Sequence, residues 1–91
     1  MDERVRQLRG LIAANDRAIV AAVNERLRLV AELWRVKNEL GIDRLDPDRE
    51  HALREELARA NAGPLSQDGL RRFVGELLAL TKQELGRDSV A

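Results

Sequence analysis

Cysteine is absent from this chain of 91 residues, and histidine occurs once, as His51. The first absence rules out disulfides and thiolate metal sites, and the lone histidine rules out a multi-histidine metal site. Aromatic side chains are reduced to Trp34 and Phe73, too few for a platform on which bases stack. Neither sign of charge is in excess, since 16 Lys and Arg balance 16 Asp and Glu. Nothing therefore points to nucleic acid or to an anionic membrane. No apolar run approaches the roughly 18 residues of a membrane span. The start, Met1-Asp2-Glu3-Arg4, carries acids where a secretory signal has its apolar run. The expectation is a cytoplasmic protein. The 6 glycines are scattered and form no phosphate-cradling loop. His51 has no Ser/Asp partner pattern, so it gives no catalytic signal and reads as an exposed or half-buried helix residue. No cofactor and no metal are expected.

What is present favours helix. Ala, Leu, Arg and Glu dominate, and both prolines, Pro47 and Pro64, fall between periodic segments. From about Asp2 to Leu40 an apolar stripe runs through Val5, Leu8, Ile12, Ile19, Val23, Val30, Leu33 and Leu40, with spacings of three, four and their sum, seven. Gly41 stands where a helix C-cap belongs. Asp46 then reads as an N-cap with Pro47 at the first helical position. The second helix is predicted to reach Ala60, with Leu53, Leu57 and Ala60 on one face, and Asn61-Ala62-Gly63-Pro64 ends it. Ser66 is the expected cap of a third helix carrying Leu70, Phe73, Val74, Leu77, Leu78 and Thr81 along one stripe, closed by Gly86.

These lengths have a consequence. A helix of about 39 residues is roughly 58 Å long, whereas a compact domain of this size is only about 30 Å across. Two shorter helices cannot cover it. A chain this short also buries only about 60–65% of its unfolded surface. A second copy packed antiparallel, in a closed twofold interface, would cover the stripe. The alternative is a first helix that breaks near Gly10 and folds back into a four-helix monomer. Residues 1–91 are read as one domain.

Polar residues interrupt the stripe. Continuing from Val23 reaches Arg26, then Val30, Leu33 and Lys37. Eleven steps of a helix bring Lys37 to within about 20° of the face of Arg26, roughly 16 Å further along. Two cations thus point inward, and an unpaired buried cation costs several kcal/mol, so an anion is expected to meet them. It could be an acid on the second helix, in a salt bridge that sets register, or a small dianionic ligand. The second helix opens Asp46-Pro47-Asp48-Arg49-Glu50. Capping and the helix dipole account for Asp46 and Asp48. They do not account for Arg49, a cation in a first turn, which with Glu50 could complete an anion site at the helix N-terminus. Arg9 lies about 25 Å before Arg26 on another face. On its own it reads as a solvated arginine, but in an antiparallel dimer the partner's Arg9 can come alongside the middle of this helix.

The order Leu8-Arg9, Asp16, Glu25-Arg26, Lys37, Asp46, Arg49-Glu50 resembles the all-helical (AroQ-type) chorismate mutases. The stretch LRGLIAANDRAIVAAVNERLRLVAELWRVKNELG is similar to that family's long first helix, and DPDRE to its second-helix start. The likeness extends from about Arg4 to Leu85. It implies an all-α protein of three helices per chain, assembled as an intertwined antiparallel homodimer with two equivalent active sites. It implies, too, the rearrangement of chorismate to prephenate in aromatic amino-acid biosynthesis. Each site would draw Arg26, Lys37, Asp46, Arg49 and Glu50 from one chain and Arg9 from the other. In that family pattern Arg9 and Arg26 hold the substrate's two carboxylates and Lys37 donates to the ether oxygen. Glu50, with the backbone near Asp46, holds the ring hydroxyl, and Arg49 supports the carboxylate side. Thr81 matches the family's small hydroxyl residue on the third helix.

Two positions depart from the family pattern. Leu85 stands where a glutamine or glutamate donor is usual, leaving the second ether-oxygen donor unassigned. Trp34 stands where a small residue is common. Both imply weaker activity or a C-terminal end rearranged by an activating protein partner. Two rival readings keep the same helices: an isochorismate pyruvate lyase acting on a related dianion, and a non-catalytic helical interaction module in which the inward charges set dimer register.

Overall fold

The computed structural model describes residues 2–86; Met1 and residues 87–91 lie outside that range. Three α-helices follow in order, α1 (Glu3–Leu40), α2 (Pro47–Ala60) and α3 (Gln67–Gly86), and no strand occurs among the described residues. The expected all-α class and the helix boundaries hold. α1 runs unbroken through Gly10. One glycine costs a helix only about 1 kcal/mol relative to alanine, so the folded-back four-helix alternative does not form.

Side chains fix the helix ends. Asp2 caps α1 through its Oδ1, which accepts from the Arg4 backbone N–H at 2.7 Å, while its Oδ2 pairs with the Arg4 guanidinium at 2.9 Å. The Arg4 side chain first, and its backbone N–H second, hold the Asp2 carboxyl below the usual aspartate value. At the other end, the Ile42 N–H donates to the Lys37 carbonyl at 2.9 Å and the Gly41 N–H to that of Asn38 at 3.3 Å. That is the Schellman pattern, and it requires the left-handed backbone that Gly41 adopts at φ +69. Between α2 and α3, the Asn61 side chain receives the Gly63 N–H at 3.1 Å and donates to the Leu65 carbonyl at 2.9 Å. Ser66 caps α3 as expected, its Oγ accepting from the Gly69 N–H at 2.9 Å.

The chain divides into two units, Met1–Glu32 and Leu33–Ala91. In the first, no described residue is buried; Val23, Arg26, Leu27 and Val30 are half-buried. Leu8 and Ile12 of the predicted stripe are each 59% exposed. The second unit holds the last turns of α1 with α2 and α3. There α2 and α3 run antiparallel: Gln67 Nε2, opening α3, donates to the Ala58 carbonyl near the end of α2 at 3.0 Å. Val74, Leu78 and Thr81 are buried. Leu70 and Leu77 flank them half-buried, but Phe73 is exposed. Phe73 lies about 100° around the helix from Val74, at the edge of the stripe. On α2, Leu53 and Leu57 face inward as expected, whereas Ala60, the last helical residue, is exposed and Ala58 is half-buried.

Candidate active site

The loop from Gly41 to Asp46 joins the end of α1 to the start of α2, placing Lys37 one short turn from Asp46, Arg49 and Glu50. Within it, the Leu45 N–H donates to Asp43 Oδ1 at 3.0 Å. Asp46 then caps α2, accepting from the Arg49 N–H at 3.1 Å, with Pro47 next in the chain. The Glu50 N–H closes the first helical bond to the Asp46 carbonyl at 3.1 Å. The run DPDRE is thus a capped helix start, and the Arg49 side chain stands exposed upon it.

Lys37 is half-buried, and its Nζ lies 3.4 Å from the Arg44 carbonyl oxygen. The sequence left open whether an acid on α2 or a small anionic ligand meets this cation, and in the chain alone its head lies near a neutral carbonyl. Position makes that tolerable. Lys37 falls in the last turn of α1, where the helix dipole already favours a cation, and half-burial lets the long stem pack while the head reaches water. The same Arg44 lays its guanidinium over the Trp34 ring, 4.9 Å from the centroid.

Glu50 is half-buried, and its Oε1 lies 3.1 Å from Lys82 Nζ on α3. Lys82 was not singled out from the sequence, because nothing in the α3 pattern reveals which residue of α2 it faces. Its neighbour Thr81 is 5% exposed, and the Thr81 hydroxyl donates to the Leu77 carbonyl of its own helix at 2.8 Å. A donated bond from Thr81 to a ligand would need that rotor to turn. Leu85 is half-buried one turn beyond Thr81. Arg9 is exposed and Arg26 half-buried, both in the first unit. His51 is an exposed surface residue, its Nε2 2.8 Å from Glu55 Oε1 one turn on.

Lys37 thus ends α1, Asp46, Arg49 and Glu50 open α2 after the next loop, and Lys82 of α3 meets Glu50. Cations and carboxylates held by capped helix ends can bind and orient a small anion with hydroxyl groups. The set offers no thiol, and among the described residues no group of three or more His, Cys, Asp or Glu could hold a metal ion. The chemistry it suits is positioning and electrostatic stabilisation.

Comparison with known proteins gives this arrangement a family. One similar solved structure is chorismate mutase (form I) from Thermus thermophilus. It is 33% identical, with a TM-score of 0.83, and the match covers 87% of this chain and 99% of that one. Form II of the protein from the same organism is 32% identical, with a TM-score of 0.86, over 93% and 97% of the two chains. Comparison with curated protein sequences finds no match. The family described as chorismate mutase type II matches residues 8–84, a span that takes in every residue from Arg9 to Thr81 discussed above, and the chain belongs to that family.

Proposed function

We propose that the protein converts chorismate to prephenate at a site built from Arg26, Lys37, Asp46, Arg49, Glu50 and Thr81 of one chain and Arg9 of a second. The reaction is a one-step pericyclic rearrangement in which a C–O bond breaks as a C–C bond forms. No proton moves and no nucleophile attacks, which suits a chain without cysteine or a Ser/His pair. Catalysis then rests on holding a folded, chair-like dianion in reactive geometry and on meeting negative charge as it grows on the ether oxygen. Arg9 and Arg26 take the two carboxylates, and Arg49 supports that side. Lys37 donates to the ether oxygen. Because its contact strengthens as the bond breaks, it raises the rate rather than merely the affinity. Glu50 accepts from the ring hydroxyl beside the backbone at Asp46, and Thr81 completes the wall on α3.

The carrying observation is the junction itself: Lys37 at the last turn of α1, with Asp46, Arg49 and Glu50 on the capped first turn of α2. Membership of the chorismate mutase family supports chorismate as the anion that junction binds. The assembly is an intertwined antiparallel homodimer of single-domain chains, located in the cytoplasm. Its support is the first unit, where Leu8, Ile12 and Ile19 lie 48–59% exposed on one apolar stripe that needs a partner surface. Leu85 at the donor position leaves room for an activating protein partner.

The direct test is to mix purified protein with chorismate, follow its loss and identify the product, with the mass in solution measured alongside. Prephenate from a dimer is expected. Turnover of isochorismate but not chorismate would replace this reading with the lyase. Silence on both would favour an activating partner or a non-catalytic helical protein.

A further inference from the structure

We infer that Trp34 and Arg44 are positioning residues for Lys37: the indole fixes the Arg44 guanidinium, and the carbonyl of that same residue tethers the Lys37 ammonium. This rests on the proposed role of Lys37 at the ether oxygen.

Three observations in the second unit carry it. Arg44 is held at two points, with its guanidinium 4.9 Å from the Trp34 ring centroid and its carbonyl oxygen 3.4 Å from Lys37 Nζ. Trp34 and Lys37 are three residues apart on α1, neighbours on one helix face, and both are half-buried. The loop between them and α2 is pinned at its ends, by the Ile42 N–H to the Lys37 carbonyl at 2.9 Å and by the Asp46 cap of α2 at 3.1 Å. The Trp34 stack fixes the middle of that loop, and so fixes where the Arg44 carbonyl points.

A lysine head swings on a long flexible stem, so a donor aimed at one ether oxygen needs an external reference point. The Arg44 carbonyl is such a point. At 3.4 Å the bond is long, so it orients the ammonium without holding it tightly, and it engages one of three N–H donors. Of the aromatic rings, indole attracts a cation most strongly, and a guanidinium can lie against its face. Trp34, the bulky residue that departs from the family pattern, thereby acquires a task.

The test is steady-state kinetics on the full-length enzyme with chorismate. Trp34→Leu and Arg44→Ala are expected to lower kcat about tenfold while KM stays within about twofold, because only the transition-state donor is misplaced. Arg44→Ala keeps the backbone carbonyl and removes the guanidinium that lies over the indole, so it tests the same contact from its other side should Trp34→Leu fold poorly. Trp34→Phe and Arg44→Lys, which keep a ring and a cation, should recover most of the loss. In a Lys37→Met background, Trp34→Leu should cost nothing further, since its effect passes through Lys37. An unchanged kcat in both single variants would overturn the inference, as would an equal loss with and without Lys37. A wild-type enzyme inactive on chorismate would instead remove the proposed function, and this inference with it.

Discussion

Lys82 Nζ stands 3.1 Å from Glu50 Oε1, joining the last turns of α3 to the first turn of α2. The lysine side chain is 51% exposed and the glutamate 37%, so as a surface pair it contributes less than about 1 kcal/mol to stability. Its larger effect is on the charge of the site. Removing the cation leaves the Glu50 carboxylate uncompensated before a dianionic substrate. Lys82→Gln is therefore expected to raise KM about two- to sixfold, the effect of one charge several ångströms away in a watery environment. The rise should shrink as salt is added. Melting should shift by no more than about 5 °C. Equal KM values for wild type and variant at low salt would show that Lys82 does not act on the substrate.

Replacing Lys37 by Met keeps the stem and removes the ammonium. Loss of a donor aimed at developing negative charge costs about 100- to 1000-fold in kcat. The mass in solution and the helix content should be unchanged, because Lys37 is only half-buried and its contact here is one long bond to a carbonyl. A variant that loses its dimer would point to the helical-module reading, in which the inward cations set register.

A site shared between chains predicts complementation. In the proposed homodimer, Arg9→Ala would spoil both sites, and so would Lys37→Met. Unfolded, mixed in equal amounts and refolded together, the two chains should form mixed dimers half the time. Each mixed dimer regains one of its two sites. About one quarter of wild-type activity should return, as twofold symmetry requires. Activity no higher than the mean of the two parent variants would mean that each site draws on a single chain.

The Asp46 cap can be tested by heat alone. Asp46→Ala frees the Arg49 N–H from its 3.1 Å acceptor. It should cost about 1 kcal/mol, read as a fall of about 4–8 °C in melting temperature at fixed protein concentration. Asp46→Asn keeps a capping oxygen and should melt close to wild type. If both variants melt alike, the cap does not carry the helix start.

Much of this architecture is local and could be read along the chain. Asp46 with Pro47, Gly41 past the last turn of α1, and Ser66 before α3 each satisfy helix-end groups within a few residues. The residue types alone mark those ends. The facing of α3 was nearly as legible. Val74, Leu78 and Thr81 are buried as the spacing requires, and only Phe73 at the edge of the stripe turns outward. Lys37 is half-buried on the face the spacing gives it, and in the chain alone its ammonium lies near the Arg44 carbonyl. Sequence spacing reports the face a residue occupies, but not that a loop carbonyl comes round to meet it.

The sequence by itself determined three helices, their ends, the absence of thiol and multi-histidine chemistry, and a set of charged positions that resembles one family. Those properties depend on periodicity, capping and composition, all set by residues close together in the chain. Tertiary structure alone decided that Lys82 faces Glu50, that the Arg44 guanidinium lies over Trp34, and that Lys37 meets a carbonyl. Each of those contacts depends on how a loop turns or how α2 and α3 align. Such registers are set by the summed packing of many side chains, which no short stretch of sequence encodes.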